Sequence, residues 1–198
     1  MTKRFFAMPL ALVLAFALLP APLLAQTEDN AKTTAEQRQQ LQKDVQSAIA
    51  RFKKADPGIA RFFEQSAGYA VFARVGKIGF IFAGAHGAGE VFEKGRVIGT
   101  ASITLGTIGL QAGIQEFSQI VFFKDQAALD RFKENKFEFA ANASAVIVTA
   151  GASKGANYNE GVVVFTRSTG GAMAEAALGT QKFHVDIDPA TPKQPKKK

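Results

Sequence analysis

The sequence predicts an α+β domain, a β-rich barrel-like or sandwich antiparallel sheet with flanking helices. Three observations carry that prediction. From Tyr69 onward, short apolar runs are punctuated by glycine at regular spacing, the pattern of a barrel or sandwich whose edges are closed or covered. Before Tyr69 the apolar residues keep a helical period, with Leu41, Val45, Ala48, Ile49 and Phe52 on one stripe. The third observation is the stretch 103–123, ITLGTIGLQAGIQEFSQIVFF. From Gly109 its residues alternate with a period of two, which argues strand. Glycines 106, 109 and 113 imply a coiled strand in a tightly closed sheet. Ile120, Val121, Phe122 and Phe123 are apolar on both faces, so that end is expected to be buried on both sides.

Taken in order, the chain opens on a targeting segment. Lys3 and Arg4 precede an apolar run from Phe5 to Leu19, then Pro20, Pro22 and Ala25. This reads as a secretory signal peptide, residues 1–25, cut near Ala25 and implying a secreted or periplasmic protein. A polar linker is expected over 26–33. Thr33 with Glu36 fits a capping box opening a helix, which Asp56-Pro57 stops. Asp56 then caps a second short helix with Pro57 at its first position, running through Phe62 and Phe63 to Gly68. The domain proper spans 34–188, with a helical lead-in at 34–68 and a β-rich body at 69–188.

In the body, strands are expected at 69–75, 78–83, 91–93, 96–102, 137–139, 145–150, 161–167, 172–176 and 182–187. Gly76-Lys77 is read as a turn and Lys94-Gly95 as a tight hairpin. Asp125 is expected to cap a helix with Leu129 and Phe132 inward, ended by Asn135. Residues 189–198, PATPKQPKKK, form a basic tail with a disordered composition.

Charge narrows the function. The chain carries 24 Lys and Arg against 17 Asp and Glu. Setting aside Lys3, Arg4, Lys193, Lys196, Lys197 and Lys198 leaves 18 against 17. The excess belongs to the ends, so no broad basic face for nucleic acid is implied. With no cysteine, disulfides, thiolate metal sites and cysteine nucleophiles are excluded. His86 and His184 are too few and too far apart in sequence for a metal site. Gly151-Ala-Ser153-Lys-Gly155 fits the G-x-S-x-G pattern of a hydrolase. However, the residues after Ser153 read as loop and strand rather than the helix that a nucleophile elbow requires. Gly84, Gly87 and Gly89 lack the lysine and helix of a phosphate loop. Asn142-Ala-Ser144 is a glycosylation sequon. No catalytic residue, metal or cofactor is assigned.

Four blocks then resemble the SYLF domain, also called the Las17-binding or actin-binding domain. They are AGYAVFARVGKIGFIFAGAHGAGEVF, GLQAGIQEFSQIVFF, the helix ending in KFEFAANASAV, and VVVFTRSTGGAMAEAALG. The resemblance implies a barrel-like, lipid-binding domain that takes phosphoinositide or other anionic phospholipid headgroups at a membrane surface. The positions matching that description are Arg51, Lys53, Lys54 and Arg61 on the lead-in and Lys77 at the strand turn. Actin is not the expected partner of an exported chain without attached SH3 or FYVE modules. The rival expectation is a structural envelope or stress protein that binds a protein partner, and a serine hydrolase ranks third.

Overall fold

The computed structural model describes residues 23–77, 85–105, 116–135, 138–139, 145–168 and 181–188. The chain divides into two units, Met1–Glu36 and Gln37–Lys198. In the first, the described residues are helical. The second holds the sheet.

Helix α1 spans Leu23–Ala55. It is already helical at Leu23, the first described residue, ten residues before the expected cap at Thr33, and runs through the expected linker. The reason is local: residues 23–33, LLAQTEDNAKT, contain neither glycine nor proline to stop a helix. At its other end the expected signals operate. Asp56 accepts a hydrogen bond from the Gly58 N–H at 3.0 Å and caps a 3-10 turn, Pro57–Ile59, with proline at its start. Helix α2, Ala60–Gln65, comes directly after it. It ends at Ser66, and Gly68 opens the first strand instead of terminating the helix.

The strands are β1 (Gly68–Lys77), β2 (Ala85–Glu93), β3 (Arg96–Leu105), β4 (Glu116–Phe123), β5 (Glu138–Phe139), β6 (Ala145–Ile147), β7 (Val162–Ser168) and β8 (Gln181–Ile187). They form one eight-stranded sheet in the order β5-β8-β3-β2-β1-β4-β7-β6. Helix α3, Gln126–Lys133, lies between β4 and β5 in sequence. The class is α+β, as expected. The sheet is mixed rather than wholly antiparallel, because β6 pairs with β7 in parallel. It is also not closed among the described residues, where β5 and β6 stand at its two edges.

Although open, the sheet is strongly curled. The Phe72 and Phe183 rings, on β1 and β8, lie 5.6 Å apart. In a flat sheet two intervening strands would hold them roughly 14 Å apart. Gln119 on β4 and Gln181 on β8 go further. Their side-chain amides exchange hydrogen bonds of 2.8 and 3.2 Å across four strand spacings, roughly 19 Å when flat. β-Bulges produce the bend. The β1 register shifts between Phe72 and Arg74 against β2, and between Phe72 and Val75 against β4. The bulge carbonyl of Ala73 is taken by the Ser118 hydroxyl at 2.7 Å. Opposite it, Gly89 comes so close to the Val71 carbonyl that a Cβ would collide with it, so only glycine fits.

Both faces of the sheet are apolar near its middle. The concave face carries Phe72, Ile103, Phe117, Val121, Phe123 and Val164, with Ala128, Leu129 and Phe132 of α3 packed against them. The convex face carries Val71, Ile120, Phe122, Val163 and Phe165 beneath Val45, Ala48 and Phe52 of α1 and Phe62 of α2. The expectation that the IVFF end of β4 is buried on both sides holds, since Phe117–Phe123 is buried without a break.

Other local signals read as expected. Lys94 (φ 52°) and Gly95 (φ 75°) make the β2–β3 hairpin, a pair of positive φ angles that glycine tolerates best. Asp125 caps α3 by accepting the Ala128 N–H at 2.9 Å, and Asn135 leaves it at φ 56°. Gly76-Lys77 is a correction. These residues continue β1, opposite His86 and Ala85 of β2. Gly76 also pairs with Glu116 of β4, and this two-sided pairing overrides the turn preference of glycine. The expected strands at 78–83 and 172–176, the glycines at 106, 109 and 113, the sequon and the tail lie outside the described residues.

Candidate functional site

The site residues expected from the sequence fall into two places. Arg51, Lys53 and Lys54 are exposed on the last turns of α1, and Arg61 is exposed on α2. At about 100° per residue, Arg51 and Lys53 flank the buried Phe52 on opposite sides, and Lys54 points away from it. The cations therefore surround the exposed part of the helix rather than sharing one narrow face. Lys77 is not brought to this group. It ends β1, nine residue steps and about 30 Å of strand beyond Gly68.

The apolar stripe of α1 is already in use. Val45, Ala48 and Phe52 are fully buried on the convex face, with Leu41 and Ile49 packed at its margin. Phe62 and Phe63 of α2 extend the same layer. Phe63 meets Phe122 edge to face at 4.8 Å, and Phe62 meets Phe165 at 4.9 Å.

The cations differ in their partners. The Lys53 ammonium lies over the Phe63 ring, 4.6 Å from its centroid. Arg61 lies over Phe62 at 4.8 Å and donates to the Ser153 carbonyl at 2.5 Å. Elsewhere, Arg74 is neutralised by Glu116 at 3.5 Å, and Lys133 by Glu93 and Asp130 at 3.6 and 2.9 Å. Among the described residues, Arg51, Lys53, Lys54 and Arg61 make no such carboxylate pair.

Ser153 belongs to a clamp. It sits in a 3-10 turn, Ala152–Gly155, that comes after β6, and is only 1% exposed. Its N–H donates to the Asp56 carboxylate at 2.6 Å, and its carbonyl accepts from Arg61. Its hydroxyl fills the space that a Cβ on Gly58 would need. Burial alone would raise the Asp56 pKa, but hydrogen bonds from Ser153 and Gly58 outweigh burial and hold the carboxyl below its ordinary value. After Ser153 the chain turns extended at Ala156, without the helix of a nucleophile elbow. His86 is on β2, where its Nδ1 meets the Thr104 hydroxyl at 3.0 Å, and His184 is on β8. The serine joins the lead-in to the β6–β7 connection. Nothing local in the sequence signals this, because Asp56 and Ser153 are 97 positions apart.

Among the described residues, no group of three or more His, Asp or Glu side chains could hold a metal ion, and no helix is long and apolar enough to cross a membrane.

The arrangement is that of an α+β domain with a basic helical lead-in tied to its sheet. Residues 104–189 match the family model described as Ysc84, Las17-binding protein actin regulator. A relative, "Beta cell expansion factor A" of Aeromonas veronii, is 27% identical over 161 residues, or 80% of this chain and 61% of that protein. The match over residues 104–189 agrees with the resemblance to the SYLF family that the sequence blocks carry. That family is generally non-enzymatic. The chain spans less than two thirds of the relative's length.

Proposed function

We propose that this domain binds anionic phospholipid, of the phosphoinositide type, at a membrane surface, and does so by charge rather than by inserting its lead-in helix. The observation that carries the proposal is the division of labour on α1 and α2. Arg51, Lys53, Lys54 and Arg61 are exposed without carboxylate partners, while the apolar stripe between them is buried against the sheet. Each exposed cation near an anionic surface contributes about 1 kcal/mol. On the exported chain that the leader residues imply, the surface would belong to an envelope or extracellular membrane.

Arg51→Gln, Lys53→Gln and Lys54→Gln together test this reading without disturbing the Arg61 clamp. Flotation with vesicles containing phosphatidylserine or a phosphoinositide should show the triple variant binding roughly a hundredfold more weakly. Wild-type binding should fall steeply with salt, since screening acts over about 8 Å at physiological ionic strength. Equal binding to neutral vesicles, or binding unmoved by high salt, would refute the charge-based reading.

A further inference from the structure

The Arg61 guanidinium is held in place yet under-used. Stacking on Phe62 and the bond to the Ser153 carbonyl fix its position, and Ser153 is itself held from the other side by Asp56. That employs one of the five N–H donors an arginine carries. Tyr158 packs on the same Phe62 ring, with centroids 5.7 Å apart. Its hydroxyl is buried and meets no hydrogen-bond partner, although a buried hydroxyl ordinarily has one.

Tyr158 also feels Arg61. Burial pushes its phenol up to about 12, and the nearby guanidinium pulls in the opposite direction. The phenol therefore stays protonated, a neutral O–H donor beside a cation, at any physiological pH. Two kinds of donor thus stand on one aromatic ring with no common acceptor between them. An acceptor that satisfies both, once it displaces the packing over the buried hydroxyl, is an oxyanion, because a guanidinium fork matches phosphate oxygens and charge-assisted bonds are the stronger ones.

We propose that Arg61 and Tyr158 form a subsite for a single phosphate-type oxyanion, such as a phosphomonoester, beside helix α2. The subsite stands on its own geometry; that a lipid headgroup supplies the phosphate rests on the membrane reading above.

The test uses the tyrosine content of the chain, which has two tyrosines and no tryptophan. Tyr69→Phe keeps the ring stacked on Phe92 and leaves Tyr158 as the only emitter. Titrating that protein with inorganic phosphate should produce a saturable change in tyrosine emission that Arg61→Gln abolishes. If Arg61→Gln fails to fold, Arg61→Lys, which keeps the charge but loses the fork, is measured instead. In flotation, vesicles of phosphatidic acid should bind about tenfold more tightly than phosphatidylserine vesicles of matched surface potential. Tyr158→Phe, which removes only the unpartnered hydroxyl, should erase that preference.

A phosphate response without a headgroup preference supports the subsite and overturns lipid as its source. No phosphate response, or a headgroup preference that survives Tyr158→Phe, overturns the subsite. Salt-sensitive binding to both vesicle types in that case leaves the membrane reading standing. A phosphate response with no vesicle binding at all overturns the membrane reading and keeps the subsite.

Discussion

The two faces of the sheet bury their apolar residues by different means. The concave face closes on itself: bulged strands bring Phe72 to Phe183 and Gln119 to Gln181, and α3 fills the space at Phe123 and Phe132. The convex face cannot do this and borrows α1 and α2. They cover Val71, Ile120, Phe122, Val163 and Phe165. Toward β3 and β8 the same face turns open at Ala88 and polar at Ser102, Lys182, His184 and Asp186. The contrast gives the amphipathic helix a structural use. Its apolar side is the lid of half a sheet, and only its charged side remains for a partner.

Breaking the convex layer should have the largest effect. The fully buried Phe122 touches Phe62, Phe63, Tyr69 and Phe165. Phe122→Ala should cost about 3–5 kcal/mol, read by denaturant unfolding, and should loosen α2 in hydrogen exchange. A loss below about 1 kcal/mol would mean the aromatic layer is dispensable.

Next comes the clamp that ties the helices to the sheet. Asp56→Ala removes a helix cap and leaves the buried Ser153 N–H without its acceptor, for about 2–3 kcal/mol. Because its folded pKa is lowered, Asp56 contributes its full stability above the ordinary value of 3.8, and loses it as pH falls through the folded value. The gap in melting temperature between wild type and Asp56→Asn should therefore shrink below about pH 4. A gap that stays constant down to about pH 2 would show that the carboxylate charge is irrelevant.

On the concave face, Gln119→Leu leaves Gln181 short of its amide partner and should cost about 1–3 kcal/mol. Adding Gln181→Leu should recover much of that loss, since replacing both partners by apolar groups can be nearly neutral. A double variant as weak as the sum of the singles would show the two amides act independently.

The smallest effect is expected at Glu90. It is 7% exposed, and its Oε2 has no hydrogen-bond partner. Burial raises its pKa above the ordinary 4.5, so ionisation opposes folding increasingly as pH rises past that value. Glu90→Gln should give a small gain in melting temperature at about pH 7 that vanishes below about pH 4. A loss at neutral pH would mean the carboxylate has a partner that matters.

What the sequence disclosed depends on the range of the interactions. Lys94-Gly95, Asp125 and Asp56-Pro57 act within a few residues, and each could be read directly. Two-sided burial of β4 showed in its unbroken apolar run. Thr33 misled because a capping box states where a helix can begin, and the stretch upstream, free of glycine and proline, lets α1 run through that point. Gly76 misled because pairing on both sides outweighed its local preference. The clamp at Ser153, the parallel β6 and the Gln119–Gln181 pair join segments far apart in the chain. No local pattern marks them, and Tyr158 gave no sign of its orphaned hydroxyl.

Asn135 does more than end α3. Its side-chain amide donates to the Val185 carbonyl at 3.2 Å and accepts the Val185 N–H at 2.6 Å, as a neighbouring strand would. On the same side of β8, β5 takes Gln181 and Lys182. A strand from a second molecule approaching that side would find the backbone of Val185 already engaged, so one asparagine helps to keep an open sheet from growing by edge-to-edge association.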